Sequence, residues 1–341
     1  MAITRSFTNN GQFEVTDYTQ ELLMVPNQWG LVNSMGIFTG EGVSEHSIVI
    51  EEINSTAGLI VDRVRGDRNT QNRSDGRKLH SFPVPHFPLD DYITPQDIQG
   101  KRAYGASDAA DTLAAVRARK LERIRSSHAW TLEASRCQAL TAGTVYAPNG
   151  TVDINWFTSF QQTRKEVDFV FGTGTTDIMG KIEEVIAHIQ DNLGNGGQLS
   201  GVMALCSPGF FQKLITHESI APAYQFYAST QEPLRQRLGG ANTFYREFTH
   251  GGMRFVEYRG SYNGSALIPA NDAVFVPMGV EDLFYTYFGP ANKFEFVNTV
   301  GEEAYVFEYS DPKGEKIELA SESNFLNVLR RPQAVVRGFT A

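Results

Sequence analysis

Cysteine, secretion signals and long apolar runs are nearly absent from this chain. Cys137 and Cys206 are the only cysteines in 341 residues, too few for a disulfide framework. They fall in a predicted helix and a predicted buried strand, so we expect two buried thiols and a reducing compartment. The N-terminal segment MAITRSFTNNGQFEV lacks an apolar core, and no run approaches the about 18 apolar residues that a membrane-spanning helix needs. We therefore expect a protein that is neither exported by such a signal nor embedded in a membrane.

Motifs of enzyme chemistry are also scarce. No G-x-x-x-x-G-K-[ST] phosphate loop is present, and GTGTTD at residues 172–177 lacks the lysine and the third glycine, so it favours a turn before a helix. The seven histidines are scattered. Glu184 and His188 share a helix face, but no second histidine lies at ligand spacing. We expect no catalytic residue, no metal and no cofactor.

Positive charge is scarce overall and concentrated locally. The chain holds 30 Lys and Arg against 39 Asp and Glu, a formal net charge of −9, which speaks against a protein that coats nucleic acid over its whole surface. Residues 62–78, DRVRGDRNTQNRSDGRK, nevertheless hold five arginines and one lysine against three aspartates. No aromatic residues alternate with these arginines to stack bases, so the stretch does not indicate a nucleic-acid module.

The arginine-rich stretch lies between strand-like segments. HSIVIEEI at 46–53 and AGLIVDRV at 57–64 precede or enter it, and both are rich in β-branched residues. KLHSFPVPHFP follows at 78–88, and its three prolines exclude a central strand because each removes a ladder donor. We predict an extended edge segment there, and a long protruding hairpin with a cationic tip over residues 53–90.

The longest helix pattern covers residues 107–142. Ser107 is a suitable N-cap, and Gly143 is a natural stop. If unbroken, the helix spans about 54 Å and serves as a structural spine. Its basic cluster could contact phosphates, or could pair with Glu122 and Glu133 or with acids of a neighbouring subunit. The cluster consists of Arg117, Arg119, Lys120, Arg123 and Arg125.

The remaining patterns predict a compact α/β unit and several hairpins. They are a hairpin over 143–157, a helix over 177–193, a buried strand over 201–207, a helix capped by Ser207 with Pro208 in its first turn, a hairpin turning at Gly251–Gly252, a strand over 271–279, and a ribbon over 303–320 turning at 310–314.

The order and texture of these elements resemble the lambda-type major capsid proteins of tailed bacteriophages, the major capsid protein E family. Residues 58–86, GLIVDRVRGDRNTQNRSDGRKLHSFPVPH, resemble the extended loop of that family, and residues 106–146, ASDAADTLAAVRARKLERIRSSHAWTLEASRCQALTAGTVY, resemble its spine helix. GVMALCSPGFFQKLITHESI at 201–220 resembles a strand-to-helix segment of its axial domain. LASESNFLNVLRRPQAVVRG at 319–338 resembles its closing strand.

The resemblance implies an α+β protein with the Hong Kong 97-type capsid fold. It implies an N-terminal arm and lead-in at 1–45, an extended loop at 46–92, a peripheral domain at 93–175 and 291–341, and an axial domain at 176–290. The implied function is structural: copies assemble in the host cytoplasm, as hexamers and pentamers, into the icosahedral head of the virion around double-stranded DNA. The implied partners are other copies, scaffold, portal and decoration proteins, and DNA bound without sequence preference.

In such shells the extended loop lies across a neighbouring subunit, so the cationic stretch is expected to bind acidic surfaces of other copies. The expected contact residues are Arg63, Arg65, Arg68, Arg73, Arg77 and Lys78. One branch of the family forms a lysine–asparagine cross-link, but Lys78 is the only lysine near the loop tip and nothing marks its partner. We do not predict a cross-link.

Two alternatives remain open from the sequence. A nanocompartment shell of the same fold would carry an enzyme cargo in place of a genome. A soluble α/β enzyme with an inserted hairpin would instead require a well-formed pocket in which histidine and carboxylate side chains are coupled.

Overall fold

A computed structural model of the chain describes residues 4–6, 14–17, 30–54, 76–99, 112–193, 199–227, 246–262, 265–280 and 282–340. Its strands are β1 (Thr4–Ser6), β2 (Glu14–Asp17), β3 (Thr39–Gly42), β4 (Ser47–Asn54), β5 (Gly76–Pro83), β6 (His86–Ile93), β7 (Glu166–Asp168), β8 (Gly201–Cys206), β9 (Glu247–His250), β10 (Met253–Glu257), β11 (Ser261–Tyr262), β12 (Ser265–Ala266), β13 (Asp272–Met278), β14 (Phe284–Phe288), β15 (Tyr305–Ser310), β16 (Ile317–Leu329) and β17 (Val336–Phe339). Its α-helices are α1 (Leu31–Ser34), α2 (Pro95–Ile98), α3 (Leu113–Ala142), α4 (Trp156–Ser159), α5 (Ile178–Asn192) and α6 (Pro208–Thr216).

The strands form two large sheets. The seven-stranded sheet has the order β1-β2-β15-β16-β14-β3, and β6 also pairs with β16. The 13-residue strand β16 is its longest element: β15 and β6 flank its first half, and β14 pairs with its second half. The six-stranded sheet has the order β7-β17-β13-β8-β10-β9. The predicted mixture of helices and strands is confirmed.

The six-stranded sheet has the apolar core that its sequence predicts. Residues 202–206 of β8 are all buried, as are the first six residues of β13. Ser207 then caps α6, because its hydroxyl oxygen accepts a hydrogen bond from the Phe210 N–H at 3.3 Å, and Pro208 begins the helix. Cys206 is buried in β8, as expected, and burial raises the pKa of its thiol.

The spine helix α3 is shorter than predicted. Its cap is Thr112, whose hydroxyl oxygen accepts from the Ala115 N–H at 3.2 Å, and its 30 residues span about 45 Å. Thr112 has an extended backbone, so α3 begins at Leu113. The predicted start at Ser107 lies outside the described residues. The predicted stop is confirmed, since Gly143 adopts the left-handed conformation with φ 69°.

Residues 143–157 turn back as predicted, but their pairing is short. They form one antiparallel bridge between Thr144 and Asn155, the Val145 N–H donates to the Ile154 carbonyl oxygen at 3.0 Å, and the chain turns where the Gly150 N–H donates to the Ala147 carbonyl oxygen at 2.9 Å. The Asn155 side chain then accepts from the N–H groups of Phe157 and Thr158 and so caps α4. The other predicted hairpins are confirmed by the pairs β9–β10 and β15–β16.

The proline-rich segment after the arginines is extended, as predicted. β5 ends at Pro83, and Pro88 lies in β6 opposite Glu322 of β16. Among the described residues β6 pairs with β16 alone, which is the edge position that a strand proline requires.

Each of the two large sheets contains strands from more than one of the expected domains. β7 and β17 join the six-stranded sheet although they lie outside residues 176–290, and β14 joins the seven-stranded sheet although it lies inside them. The division of the chain into domains stays a prediction.

A buried carboxylate on the spine helix joins distant parts of the fold. The Glu133 side chain is fully buried and accepts hydrogen bonds from the backbone N–H groups of Val32 at 2.9 Å and Asn33 at 2.8 Å. It also accepts from the Tyr258 hydroxyl at 2.9 Å. The carboxylate thus satisfies N–H groups that the start of α1 leaves unpaired, and it ties both α1 and the end of β10 to α3.

A second set of polar contacts continues from this carboxylate into the seven-stranded sheet. The Arg136 guanidinium donates to the Asn33 side-chain oxygen at 2.7 Å and to the Thr286 hydroxyl at 3.1 Å. Thr286 in turn donates to the Asn327 side-chain oxygen at 2.8 Å, and the Asn327 amide donates to Ser135 at 2.8 Å. Burial lowers the pKa of Arg136 to about 10, which leaves it charged at neutral pH.

Truncating the buried carboxylate should destabilise the subunit strongly. In Glu133→Ala, the N–H groups of Val32 and Asn33 and the Tyr258 hydroxyl lose their acceptor, and each unsatisfied buried donor costs about 1–3 kcal/mol. We expect the free energy of unfolding, measured by urea titration, to fall by at least about 3 kcal/mol. Glu122→Ala removes an exposed carboxylate from the same helix and should change it by less than about 0.5 kcal/mol. Equal losses in the two variants would contradict the role of Glu133.

A buried histidine should make stability depend on pH. His128 on α3 lies 2.9 Å from the Ser321 hydroxyl of β16, and burial lowers the pKa of its imidazole to about 4 from an ordinary 6.5. The unfolded chain therefore binds a proton between pH 6.5 and 4 that the folded chain does not. Stability that is present above pH 6.5 is lost as the pH falls toward 4.

The lost stability amounts to at most about 3 kcal/mol. His128→Gln keeps a hydrogen-bonding group but cannot titrate, and the other titratable groups are the same in both proteins. Urea unfolding at pH 7 and pH 4.5 should show a larger loss for the natural chain than for the variant. If both proteins lose the same free energy, His128 is not the group responsible.

Candidate assembly interface

β4 and β5 form a two-stranded ribbon separate from both sheets. They pair antiparallel in a continuous register from Ser47 opposite Pro83 to Asn54 opposite Gly76. The hairpin predicted over 53–90 is confirmed in part: the paired strands are 47–54 and 76–83, whereas residues 86–90 belong to β6 of the seven-stranded sheet. Residues 55–75 lie outside the described residues. A two-stranded ribbon is marginally stable alone and needs a further surface against one face.

The inner face of the ribbon packs on its own subunit. Ile48 and Phe82 are opposite each other in the register and are both buried. The Phe82 ring meets Trp156 edge-on at 5.0 Å between centroids, and His80 meets Phe160 in the same way at 5.5 Å. The helical turn α4 therefore holds the base of the ribbon through aromatic contacts.

The outer face of the ribbon carries apolar side chains in solvent. Val49 follows the buried Ile48, and Leu79 lies opposite Glu51 in the register, so both side chains belong to the outer face; they are 56% and 71% exposed. Beside them Arg77 Nη1 lies 3.4 Å from Glu51 Oε1, and both side chains are exposed. This face combines apolar area with charge, which is the composition of a surface that binds another protein.

The structure describes two of the six cations predicted to contact other subunits. Arg77 and Lys78 are both exposed on β5. The other four residues lie outside the described residues: Arg63, Arg65, Arg68 and Arg73.

The basic cluster of the spine helix is partly used inside the subunit. Arg117 Nη2 lies 2.7 Å from Glu308 of β15, and Lys120 Nζ lies 2.9 Å from Asp91 of β6. These pairs hold α3 to the seven-stranded sheet and do not involve Glu122 or Glu133, the acids considered from the sequence. Among the other predicted cations of the cluster, two are exposed and one is half-buried: Arg119, Arg123 and Arg125, respectively.

The residues considered for chemistry have structural partners. Glu184 Oε1 pairs with Lys165 Nζ at 2.7 Å, and His188 lies 3.2 Å from the Gln333 carbonyl oxygen. His128 and Glu303 line one small cavity, but the His128 ring is hydrogen-bonded to Ser321. In the part of the chain that the structure describes, no three metal-binding side chains converge and no helix has the length and apolarity to cross a membrane.

An exposed apolar segment was not recognised from the sequence. Phe294, Val297 and Val300, in the connection from β14 to β15, are 90%, 62% and 68% exposed. Their only signal was an apolar loop, FEFVNTV, that does not fit a helical or strand period.

Comparison with known proteins places the chain among capsid proteins. The family model described as phage major capsid protein E matches residues 14–340. The major capsid protein of Pseudomonas phage KPP10 is 48% identical over 349 aligned residues, which cover 98% of this chain and 99% of that protein. The major capsid protein of Salmonella phage Felix O1 is 29% identical and covers 96% of each chain. Both relatives are phage proteins, which favours a phage head over a nanocompartment.

Solved structures show the same fold at low sequence identity. The capsid protein of the Myoviridae phage XM1 superposes with a TM-score of 0.55 at 10% identity, over 95% of this chain and 98% of that one. The mature capsid of bacteriophage PhiM1 gives a TM-score of 0.53 at 14% identity, over 89% and 85%.

The two faces of the ribbon should respond differently to substitution. Phe82→Ala removes the ring that packs against Trp156 and leaves a cavity, so it should lower the free energy of unfolding by about 3 kcal/mol or more. Leu79→Ser alters a side chain in solvent and should change it by less than about 0.5 kcal/mol. Urea unfolding of the unassembled subunit measures both. A comparable loss in Leu79→Ser would mean that the outer face is covered by its own chain.

Proposed function

The chain belongs to the phage major capsid protein E family, and from that membership we propose that its ribbon binds a neighbouring copy to close an icosahedral shell of the Hong Kong 97 type. It is a major capsid protein, a structural subunit of a phage head. The proposal concerns how the subunits join: hexamers and pentamers form when the ribbon of each copy lies across the next.

The single observation that carries this proposal is the exposed outer face of the ribbon. Val49 and Leu79 remain in solvent on the outer face, although Ile48 and Phe82 of the same two strands are buried on the inner face. Full burial of a valine or leucine side chain contributes about 1.5–3 kcal/mol. Each subunit in a shell repeats this gain, so a second copy is the surface that completes the ribbon.

The cations of residues 62–78 supply complementarity more than affinity. Single exposed ion pairs contribute about 0–1 kcal/mol, so the arginines of residues 62–78 select an acidic surface and set the register on it. Since each copy carries a formal charge of −9, such acidic surfaces are available on every neighbour. We propose the same role for Arg63, Arg65, Arg68, Arg73, Arg77 and Lys78.

The remaining partners follow from the role of a head protein. We propose that the shell encloses double-stranded DNA and contacts it without sequence preference, with the exposed Arg119 and Arg123 of the spine helix as candidate contacts. Assembly in the host cytoplasm, with scaffold, portal and decoration proteins, belongs to the same proposal. So does the division into arm, extended loop, peripheral domain and axial domain.

Reversing the ribbon charges should block assembly without unfolding the subunit. In the triple variant Arg65→Glu, Arg68→Glu, Arg73→Glu, the ribbon repels the acidic neighbour that it should bind. We expect the yield of closed particles, counted by negative-stain microscopy, to fall at least tenfold while circular dichroism and the unfolding midpoint stay unchanged.

The matched control keeps the positive charge at the same three positions. Arg65→Lys, Arg68→Lys, Arg73→Lys should assemble at nearly the natural yield. Intact particles from the glutamate variant at the yield of the lysine variant would show that the ribbon cations do not direct assembly.

A further inference from the structure

Both strands of the ribbon continue directly into the seven-stranded sheet. Four residues, 43–46, lead from β3 to β4, and two, Val84 and Pro85, lead from β5 to β6. β3 pairs with β14 and β6 pairs with β16, so the two connections start from different strands of one sheet. Because both connections are short, their path limits the directions in which the ribbon can leave the subunit.

The two connections meet at the end of β14. The Val43 N–H donates to the carbonyl oxygen of Phe288, the last residue of β14, at 2.8 Å. The Val84 N–H donates to the His46 carbonyl oxygen at 2.9 Å, which joins the two connections to each other. The next residue after β14 is Gly289, and a Cβ there would lie 3.5 Å from Val84 Cγ1. The roots of both ribbon strands therefore contact one point of the sheet.

A buried asparagine of β16 fixes this point from the other side. The Gly289 N–H donates to the Asn324 carbonyl oxygen at 2.8 Å, and the Asn324 side-chain amide donates to the Pro290 carbonyl oxygen at 2.8 Å. The side-chain oxygen of Asn324 lies 2.6 Å from Nδ1 of His86, the first residue of β6. The end of β14 and the start of β6 are thus held by the same side chain.

The chain that leads to β15 returns to this point and packs against it through glycine. The Gly301 N–H donates to the Val43 carbonyl oxygen at 2.9 Å. A Cβ at Gly301 would lie 2.1 Å from the Phe288 oxygen and 2.5 Å from the carbonyl carbon of Gly289, and a Cβ at Gly42 would lie 2.3 Å from the Gly301 oxygen. These neighbouring atoms belong to the backbone, so rotation of a side chain cannot make room. We call Gly42, Val43, Phe288, Gly289 and Gly301 the ribbon junction.

We propose that the ribbon junction sets the direction of the ribbon, so that Gly42 and Gly301 are positioning residues for assembly although neither lies on the ribbon itself. A ring of copies closes only if every contact repeats the same rotation, so each ribbon needs a fixed direction. A displacement at the root is enlarged along the ribbon, because its strands of eight residues each are about 26 Å long. This inference rests on the proposed function and names the residues that direct the ribbon toward the neighbour.

Two alanine substitutions inside the ribbon junction separate crowding from the mere loss of a glycine. In Gly301→Ala the new methyl group overlaps backbone atoms, so the two segments must move apart by about 1 Å. Gly289→Ala is the matched control, because its methyl group would lie at ordinary contact distance, 3.5 Å from Val84 Cγ1 and 3.6 Å from Asn324 Cβ. Gly42→Ala repeats the crowding from the side of β3 and should behave like Gly301→Ala.

The direction of the ribbon can be measured in the unassembled subunit. Spin labels on Leu79→Cys and Glu122→Cys report the distance from the ribbon to the spine helix, since both positions are exposed and the natural Cys137 and Cys206 are buried. Double electron–electron resonance should show the mean distance shifted by at least about 2 Å in Gly301→Ala and in Gly42→Ala, because the strand enlarges the movement at its root. Gly289→Ala should give the distance of the natural chain.

Particle formation gives the second readout, on chains without labels. Folded Gly301→Ala subunits should yield at least tenfold fewer closed particles by negative-stain microscopy than Gly289→Ala subunits. A folded Gly301→Ala subunit with the natural label distance, or with a shifted distance and an undiminished yield of closed particles, overturns the inference and leaves the shell function standing. Loss of the fold in both Gly301→Ala and Gly42→Ala also overturns it, since the glycines would then support the fold alone.

Failure of the proposed function has a different signature. If the natural chain forms no closed particles under any condition that keeps it folded, the shell function falls, and with it the role of the ribbon junction in assembly. A label distance that shifts in Gly301→Ala and not in Gly289→Ala would still uphold the junction as the element that sets the direction of the ribbon.

Discussion

The buried carboxylate of Glu133 is the interaction on which the arrangement of the subunit depends. It lies on the spine helix and accepts hydrogen bonds from the start of α1 and from Tyr258, which follows strand β10 of the six-stranded sheet. A Cβ at residue 30 would lie 2.4 Å from its Oε2 atom, so Gly30 is needed for the chain to pass. A buried charge is costly unless it is fully hydrogen-bonded. The three hydrogen bonds therefore fix α1 and the residue after β10 against the spine helix.

One face of the ribbon stays exposed in the single subunit. Side chains alternate across a strand, so a two-stranded ribbon has two faces and its own body covers one. Trp156 and Phe160 cover the face with Ile48 and Phe82, and the face with Val49 and Leu79 stays open. An extended ribbon of this kind is unfavourable in a monomer, because its exposed strand edges promote pairing with other chains. In the proposed shell, a neighbouring copy covers the open face of the ribbon.

Local signals in the sequence predicted most helices and strands, but contacts between residues far apart in the sequence could not be predicted. Gly143 and Ser207 were recognised as a helix end and a helix start because a single residue determines each conformation. Ser107 and Thr112 are both acceptable caps by residue type, so residue type alone does not choose between them. The partners of Glu133 lie about a hundred residues away in either direction, so no spacing rule could reveal them. Phe294 and Val300 were missed for a related reason: an apolar residue in a loop looks the same in sequence whether the fold buries it or leaves it in solvent.

The electrostatics of the subunit fit assembly by close contact rather than by long-range attraction. Copies with a net charge of −9 repel one another, but at physiological ionic strength that repulsion is screened beyond about 8 Å. Contacts inside that distance decide whether two copies remain together, and there the local sign of charge matters: in the proposed shell, the cations of residues 62–78 meet acidic groups of the next copy, whereas most other pairings bring like charges together. The apolar side chains provide the attraction, and the charges exclude the wrong partners and registers. A strongly acidic chain therefore gains specificity from one cationic segment, provided that the segment lies on an extended element that reaches the next copy.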